Sequence, residues 1–404
     1  MNLKFTAHRR TVTTIICLIV IVLPAGCGGA DSVQAANPPR IAAVTVPLAV
    51  SNNHASVAVS INGVSKRFLL DTGADYNVVT QRTATELGLP LSDERVPSSG
   101  GSGSIAPVPW TTISDLAVGS AHLREAIAFV IPTPDEFIYD GILGANFFRA
   151  FSPRFDYHAR QLTLIESSAF TAPNGIPAIP TRLEPSGKVL VEATAAGVTG
   201  WYSVDTGAGN ALTLFTPTVE RYGLRTRYAP NVRMITGVTV SGVDYGDVVR
   251  LPDVVISAHR LHQVVAELSL AKGGLFGSDG WTGNLGAELW RRFTVTIDYP
   301  TKTIYLQPNA AYTDAFVGPR SGLTPRIENG LIIVREVIGN SPAAEAGVLV
   351  GDAVLAVNGV MLAATTFPAL SAALRQPAGT KVTLRLRAAN GTERDVMLLL
   401  RELI

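Results

Sequence analysis

The sequence predicts a mainly β protein made of two equivalent lobes followed by a smaller α+β domain. Three observations carry this. First, 37 Gly and 25 Pro are spread among Val-, Thr- and Ile-rich runs, the pattern of short strands and turns rather than of a helical bundle. Second, a long segment repeats itself once. Third, after Gly318-Pro319-Arg320 the pattern changes to that of a different, compact module. The 404 residues correspond to two to four domains at about 100–200 residues each. Hydrophobic residues at 47% against 16% charged supply enough apolar surface for sizeable cores and exclude a disordered chain. A net charge of +1 without a basic run excludes a nucleic-acid grip. Two Cys exclude a disulfide-stapled scaffold.

In chain order, the first element reads as an address. Lys4, Arg9 and Arg10 precede the apolar run Ile15–Leu23, shorter than the roughly 20 residues a bilayer span needs, which fits a signal-peptide core. Leu23-Pro24-Ala25-Gly26-Cys27 then resembles a bacterial lipobox, which implies lipidation at Cys27; Pro24 departs from the Leu usual at that position. Cleavage after Ala35 or Ala36, leaving a soluble exported protein, is the other reading. Residues 1–26 are thus expected to be a signal peptide and 27–46 a flexible tether.

The repeat organises the next 270 residues or so. Arg67-Phe-Leu-Leu-Asp71-Thr72-Gly73-Ala74-Asp75 recurs as Trp201-Tyr-Ser-Val-Asp205-Thr206-Gly207-Ala208-Gly209. Gly141-Ile-Leu143-Gly144 recurs as Gly283-Asn-Leu285-Gly286, and the match runs on to Leu164 against Leu306. Each half reads as strand, Asp-Thr-Gly-Ala turn, β-rich middle, then Gly-x-Leu-Gly. Two copies of so long a unit predict a pseudo-symmetric pair of lobes, about 47–172 and 173–312, with a site on the pseudo-dyad.

That arrangement has a chemical use. Gly73 and Gly207 allow tight turns that bare Asp71 and Asp205, and Thr72 and Thr206 can bond across to the partner lobe's backbone. Two carboxyls brought together share one proton. The ionised one can take a proton from water, and the protonated one can donate to a carbonyl oxygen.

These residues resemble the retropepsin-like aspartic proteases, fused here as a single-chain pseudodimer over about 47–308. The resemblance implies a bilobal β-barrel fold and peptide-bond hydrolysis with no metal or cofactor. It implies Asp71 and Asp205 as the catalytic dyad and Thr72 and Thr206 as an interlobe pair. Leu143-Gly144 and Leu285-Gly286 would pack beneath the turns. Ala74 and Ala208 are the retroviral-like choice where pepsin-type enzymes carry Ser or Thr, which implies a milder acid optimum. Flaps would lie at Pro97–Ser104 and Met234–Gly242, closing on an extended peptide. Asp75 has Gly209 as its counterpart, so the site is expected to be asymmetric.

Other constellations are weaker. His259-x-x-His262 can share a helix face, but no Glu completes a zinc-protease motif and a structural pair is the expectation. Gly100-Gly101-Ser102-Gly103 lacks the last Gly of a nucleophile elbow.

In the last module, Gly330–Val337 reads as a strand. Ser341-Pro342 caps a helix closed by Gly347, and Gly351–Val357 is a strand ending in an Asn358-Gly359 turn. A helix near Phe367–Leu374 and strands at 381–388 and 394–400 complete it. This resembles a bacterial PDZ domain over 320–404, implying capture of a chain terminus at Gly322, Leu323 and Thr324, although Pro325 removes a donor there.

The expectation is a monomeric aspartic endopeptidase of the bacterial cell envelope, on the periplasmic side and lipid-anchored. It would act on peptide or protein substrates, with a PDZ domain for recognition or regulation. The alternative is a non-catalytic peptide-binding envelope adaptor built from the same folds.

Overall fold

The computed structural model describes residues 42–134, 137–363 and 367–404. Cys27, the signal segment and most of the tether lie outside them.

Each copy of the repeat closes into a six-stranded barrel. In the first lobe the order is His54–Ile61, Val64–Leu70, Gly141–Leu143, Asn77–Thr80, Ala121–Ile131 and Trp110–Val118, which returns to the first strand. In the second it is Val189–Ala195, Val198–Val204, Gly283–Leu285, Leu212–Leu214, His259–Ser269 and Gly242–Ile256, which again returns to the first. In both lobes the short Gly-x-Leu strand runs parallel to the strand that delivers the aspartate. The alternation of buried and exposed residues in His54–Ile61 and Val189–Ala195 is that of strands with one face in a core.

The lobes are joined by an antiparallel sheet in the order Ala43–Pro47, Gln161–Glu166, Phe151–Asp156, Phe293–Asp298, Thr303–Pro308, Ala178–Leu183. Its centre pairs Phe155 with Val295. The end of the expected tether is therefore structured. Ala43–Pro47 turns Val44 and Val46 to its less exposed face and pairs with Gln161–Glu166. Phe147, Phe148 and Phe155 are fully buried and stack edge to face, filling the space between the first barrel and this sheet.

The C-terminal module has a sheet in the order Leu323–Glu328, Leu331–Val337, Ala353–Val357, Lys381–Arg387, Glu393–Leu399. Ser341 caps the helix Pro342–Glu345 by accepting from the Ala344 N–H. Asn358 and Gly359 both take positive φ, as a two-residue hairpin turn requires. The helix Phe367–Leu374 packs Leu370 and Leu374 onto this core. Among the described residues, no helix is long and apolar enough to cross a membrane.

Candidate active site

The strands Val64–Leu70 and Val198–Val204 deliver their turns head to head. A Cβ on Gly73 would lie 2.5 Å from the Asp205 carboxyl carbon, and one on Gly207 would lie 2.2 Å from that of Asp71. Each aspartate thus rests against the other lobe's glycine, where any side chain would collide. Both aspartates are fully buried.

The threonines cross the interface. Thr72 N–H donates to Thr206 Oγ1 at 3.1 Å, and Thr206 N–H donates to Thr72 Oγ1 at the same distance. The hydroxyls then donate to carbonyls of the opposite strands, Thr72 to Val204 at 2.6 Å and Thr206 to Leu70 at 2.9 Å. Four buried hydrogen bonds therefore fix the two turns as one unit.

The Gly-x-Leu-Gly segments lie beneath. Asp71 N–H donates to Leu143 O and Asp205 N–H to Leu285 O, both at 3.0 Å. A Cβ on Gly144 would lie 2.4 Å from Tyr76 O, and one on Gly286 would lie 2.2 Å from Asn210 O, so only glycine lets these backbones touch.

The carboxyls are not equivalent. Asp71 accepts the Gly73 and Ala74 N–H groups at 2.9 Å, both on Oδ1. Its Oδ2 is buried and receives no N–H or O–H donor from the described residues. Asp205 accepts Gly207 at 2.8 Å and Ala208 at 3.0 Å on Oδ1, and the Asn284 amide at 2.8 Å on Oδ2. Burial, then the Asp205 charge and a hydrogen bond to it, hold the Asp71 carboxyl well above the ordinary aspartate range; the Ala74 N–H and Lys188 act weakly against this.

Three of the groups here escape the sequence patterns. Lys188, buried just ahead of Val189–Ala195, meets buried Asp75 at 3.3 Å and lies 5.4 Å from the Trp281 ring centroid. Burial raises Asp75 and Lys188 opposes that rise. His54 lies beside the second turn, its ring bonded to the Gly207 backbone, and burial lowers it against the pull of Asp205. Asn284 occupies the variable place of Gly-x-Leu-Gly.

Two hairpins cover the site. Val96–Ser99 pairs with Ser104–Val108, and Val232–Thr239 pairs with the start of Gly242–Ile256. Their tips meet: a Cβ on Gly100 would lie 2.6 Å from Ser241 Oγ. Beside the second hairpin a cavity of about 500 Å³ opens onto Gly207 and Ala208. Its far wall is the C-terminal module, including Gly322, Leu323, Thr324 and Phe367. Gly322 takes φ +71°, and a Cβ there would strike Ser341. Glu336 links the two sides, accepting Ile235 N–H at 2.9 Å and the Thr324 hydroxyl at 3.1 Å.

The structure corrects the helical placement of the histidine pair. His259 and His262 lie on a strand, where a separation of three puts them on opposite faces, and His259 stacks edge-on against Phe293. No group of three or more metal-ligating side chains occurs among the described residues.

Residues 57–147 match the aspartyl protease family model, and residues 333–388 match a PDZ domain model. The first covers the Asp71 turn and Gly144, and the second covers both helices and the central strands of the C-terminal module but not Leu323–Glu328 or Glu393–Leu399. Among solved structures, a retropepsin-like aspartic protease from Rickettsia conorii is 20% identical, covering 30% of this chain and 90% of its own, with a TM-score of 0.24. No curated protein matches.

Proposed function

We propose that this chain is an aspartic endopeptidase in which Asp71 and Asp205 together activate water against a peptide bond. The observation that carries this is the reciprocal seating of each aspartate on the other lobe's turn glycine, beneath two hairpins whose tips touch. A shared proton between buried carboxyls is what general acid and base work on one substrate requires. An extended peptide lying under the hairpins would supply its backbone for binding and its carbonyl for attack.

The PDZ domain is assigned substrate presentation. Its terminus-binding loop and the second hairpin wall the same cavity, so a captured chain end would lie beside the cleft. Export with lipidation at Cys27 belongs to the same proposal and would hold the enzyme at a membrane.

The test is to incubate the full chain with a diverse peptide library between about pH 3 and 8 in H₂¹⁸O, reading products by mass spectrometry. One half of the library would carry free and the other half amidated C-termini. Cleavage with ¹⁸O in the new carboxyl, favouring free termini, is expected. Folded chain that cleaves nothing removes the endopeptidase reading. Equal cleavage of both halves removes terminus capture.

A further inference from the structure

The two Gly-x-Leu-Gly segments differ in one place, and the difference reaches the dyad. In the first lobe Ile142 pairs with Leu69 across parallel strands, and both are buried and apolar. In the second lobe the equivalent register pairs Asn284 with Ser203, both buried and polar. The two positions have changed character together.

Their contacts explain why. The Ser203 hydroxyl donates to Asn284 Oδ1. That bond settles the amide's orientation, since the oxygen must face Ser203 and the Nδ2 group must face Asp205 Oδ2, 2.8 Å away. In the first lobe Ile142 stands in the place of Asn284 and has no donor to offer, and Asp71 Oδ2 receives none from the described residues. A hydrogen bond from a neutral amide favours a carboxylate over a carboxylic acid, and an apolar neighbour does the reverse.

We propose that Asn284, oriented by Ser203, is a positioning residue that fixes the dyad's negative charge on Asp205 and leaves the proton on Asp71. This rests on the hydrolytic reading above and adds the division of labour. Asp205 takes a proton from water as the water oxygen bonds to the carbonyl carbon. The carbonyl π pair moves to its oxygen, which receives the Asp71 proton, giving a gem-diol. Asp205 then passes its proton to the amide nitrogen as the C–N bond breaks, and Asp71 recovers a proton from a gem-diol hydroxyl. One water and one amide give one acid and one amine, with the dyad restored.

The other groups facing the dyad fit this arrangement. Lys188 pulls Asp71 toward ionisation, but Asp75 at 3.3 Å counters its charge. Burial lowers His54 and raises Tyr157, favouring the neutral form of each.

The test uses the full chain with Ser203→Leu/Asn284→Ile, which installs the pair that the first lobe already packs. The acidic limb of the kcat/KM profile belongs to the dyad as a unit. It is expected to move up by about one pH unit, so that at a fixed pH low on that limb kcat/KM falls about tenfold, through kcat rather than KM. Ser203→Thr, which keeps the hydroxyl, should leave the limb in place, and Ser203→Ala should give an intermediate shift. Carboxyl ¹³C NMR on the same proteins gives a readout independent of turnover. In the parent Asp205 should ionise before Asp71, and the gap should shrink in the double variant. An unmoved limb with an unmoved carboxyl titration overturns the proposal, as does a charge found on Asp71. If the folded parent cleaves nothing, the hydrolytic reading fails while the NMR titration still decides which aspartate is charged.

Discussion

His54 and Lys188 occupy equivalent positions, each 17 residues ahead of its own lobe's aspartate, and each reaches across to the opposite lobe's turn. Lys188 meets Asp75, the fourth residue after Asp71. His54 meets Gly209, the fourth after Asp205, where a Cβ would lie 2.9 Å from the imidazole. One crossing is a buried ion pair and the other is a ring seated on a glycine. The pseudo-dyad that equates the backbones thus carries different chemistry on its two sides.

The Lys188 crossing predicts a large penalty for breaking it singly. Lys188→Met leaves the Asp75 carboxyl buried without its cation, which costs about 3–5 kcal/mol. Adding Asp75→Leu should recover most of that loss. Denaturant unfolding of the three proteins checks this, and equal instability of the single and double variants would contradict it.

The threonine lattice predicts that Thr72→Val removes both the acceptor of Thr206 N–H and the donor to Val204 O. Stranding those buried groups should cost about 1–3 kcal/mol, with Thr72→Ser largely restoring the parent. Shifts in the urea midpoint measure both. Hydrolysis should fall further than stability does, since the aspartates lose their fixed spacing.

Glu267 predicts a pH dependence. It accepts from the Thr213 hydroxyl at 3.1 Å, and burial pushes its carboxyl from 4.5 up to about 8. Below pH 4.5 both folded and unfolded chains hold this proton. Between 4.5 and about 8 only the folded chain does, so this group's contribution to stability falls as pH rises across that window. The slope is at most about 1.4 kcal/mol per unit, and less here because Glu267 is only partly shielded from solvent. Glu267→Gln should flatten the curve. The difference between parent and variant, measured by unfolding at about pH 5, 6.5 and 8, isolates the effect from that of His54.

Glu336 predicts a link between the PDZ domain and the second hairpin. Glu336→Ala removes the acceptor of the Ile235 amide, whose hydrogen exchange should accelerate by about tenfold. Cleavage of protein substrates should change with it, while the first hairpin, Val96–Val108, keeps its exchange rates. An unchanged Ile235 amide would show that the two domains do not communicate here.

Much of the fold and the site is legible because it is written twice or punctuated locally. The Asp-Thr-Gly turns, the Leu-Gly pairs beneath them and the split into two lobes all follow from the repeat. Most of the PDZ strands and both helices follow from Ser341-Pro342, Asn358-Gly359 and hydrophobic periodicity, whereas Leu323–Glu328, whose first residues read as a binding loop, is a strand paired with Leu331–Val337. Lys188 and His54 escape notice because each reads as an ordinary strand start; only the shared spacing to Asp71 and Asp205 marks them as counterparts. Asn284 reads as a variable letter, since its meaning depends on the register that sets it beside Ser203. The histidine pair invites a helix because its spacing of three suits one, whereas both residues pair with Gly242–Ile256 in a regular antiparallel register, Ile256 with His259 and Asp253 with His262. Ala43–Pro47 reads as tether because its strand partners lie more than about 100 positions away, beyond the reach of any local pattern.

In the proposed enzyme, one carboxyl from each lobe makes a single catalytic unit. The most direct measurement compares kcat/KM of the full chain with Asp71→Asn and with Asp205→Asn, each confirmed as folded by circular dichroism. A shared dyad requires that either substitution alone lower cleavage by about 10³-fold or more, and that combining them cost little beyond that. A folded single variant that retains cleavage near the parent's rate would contradict the shared dyad.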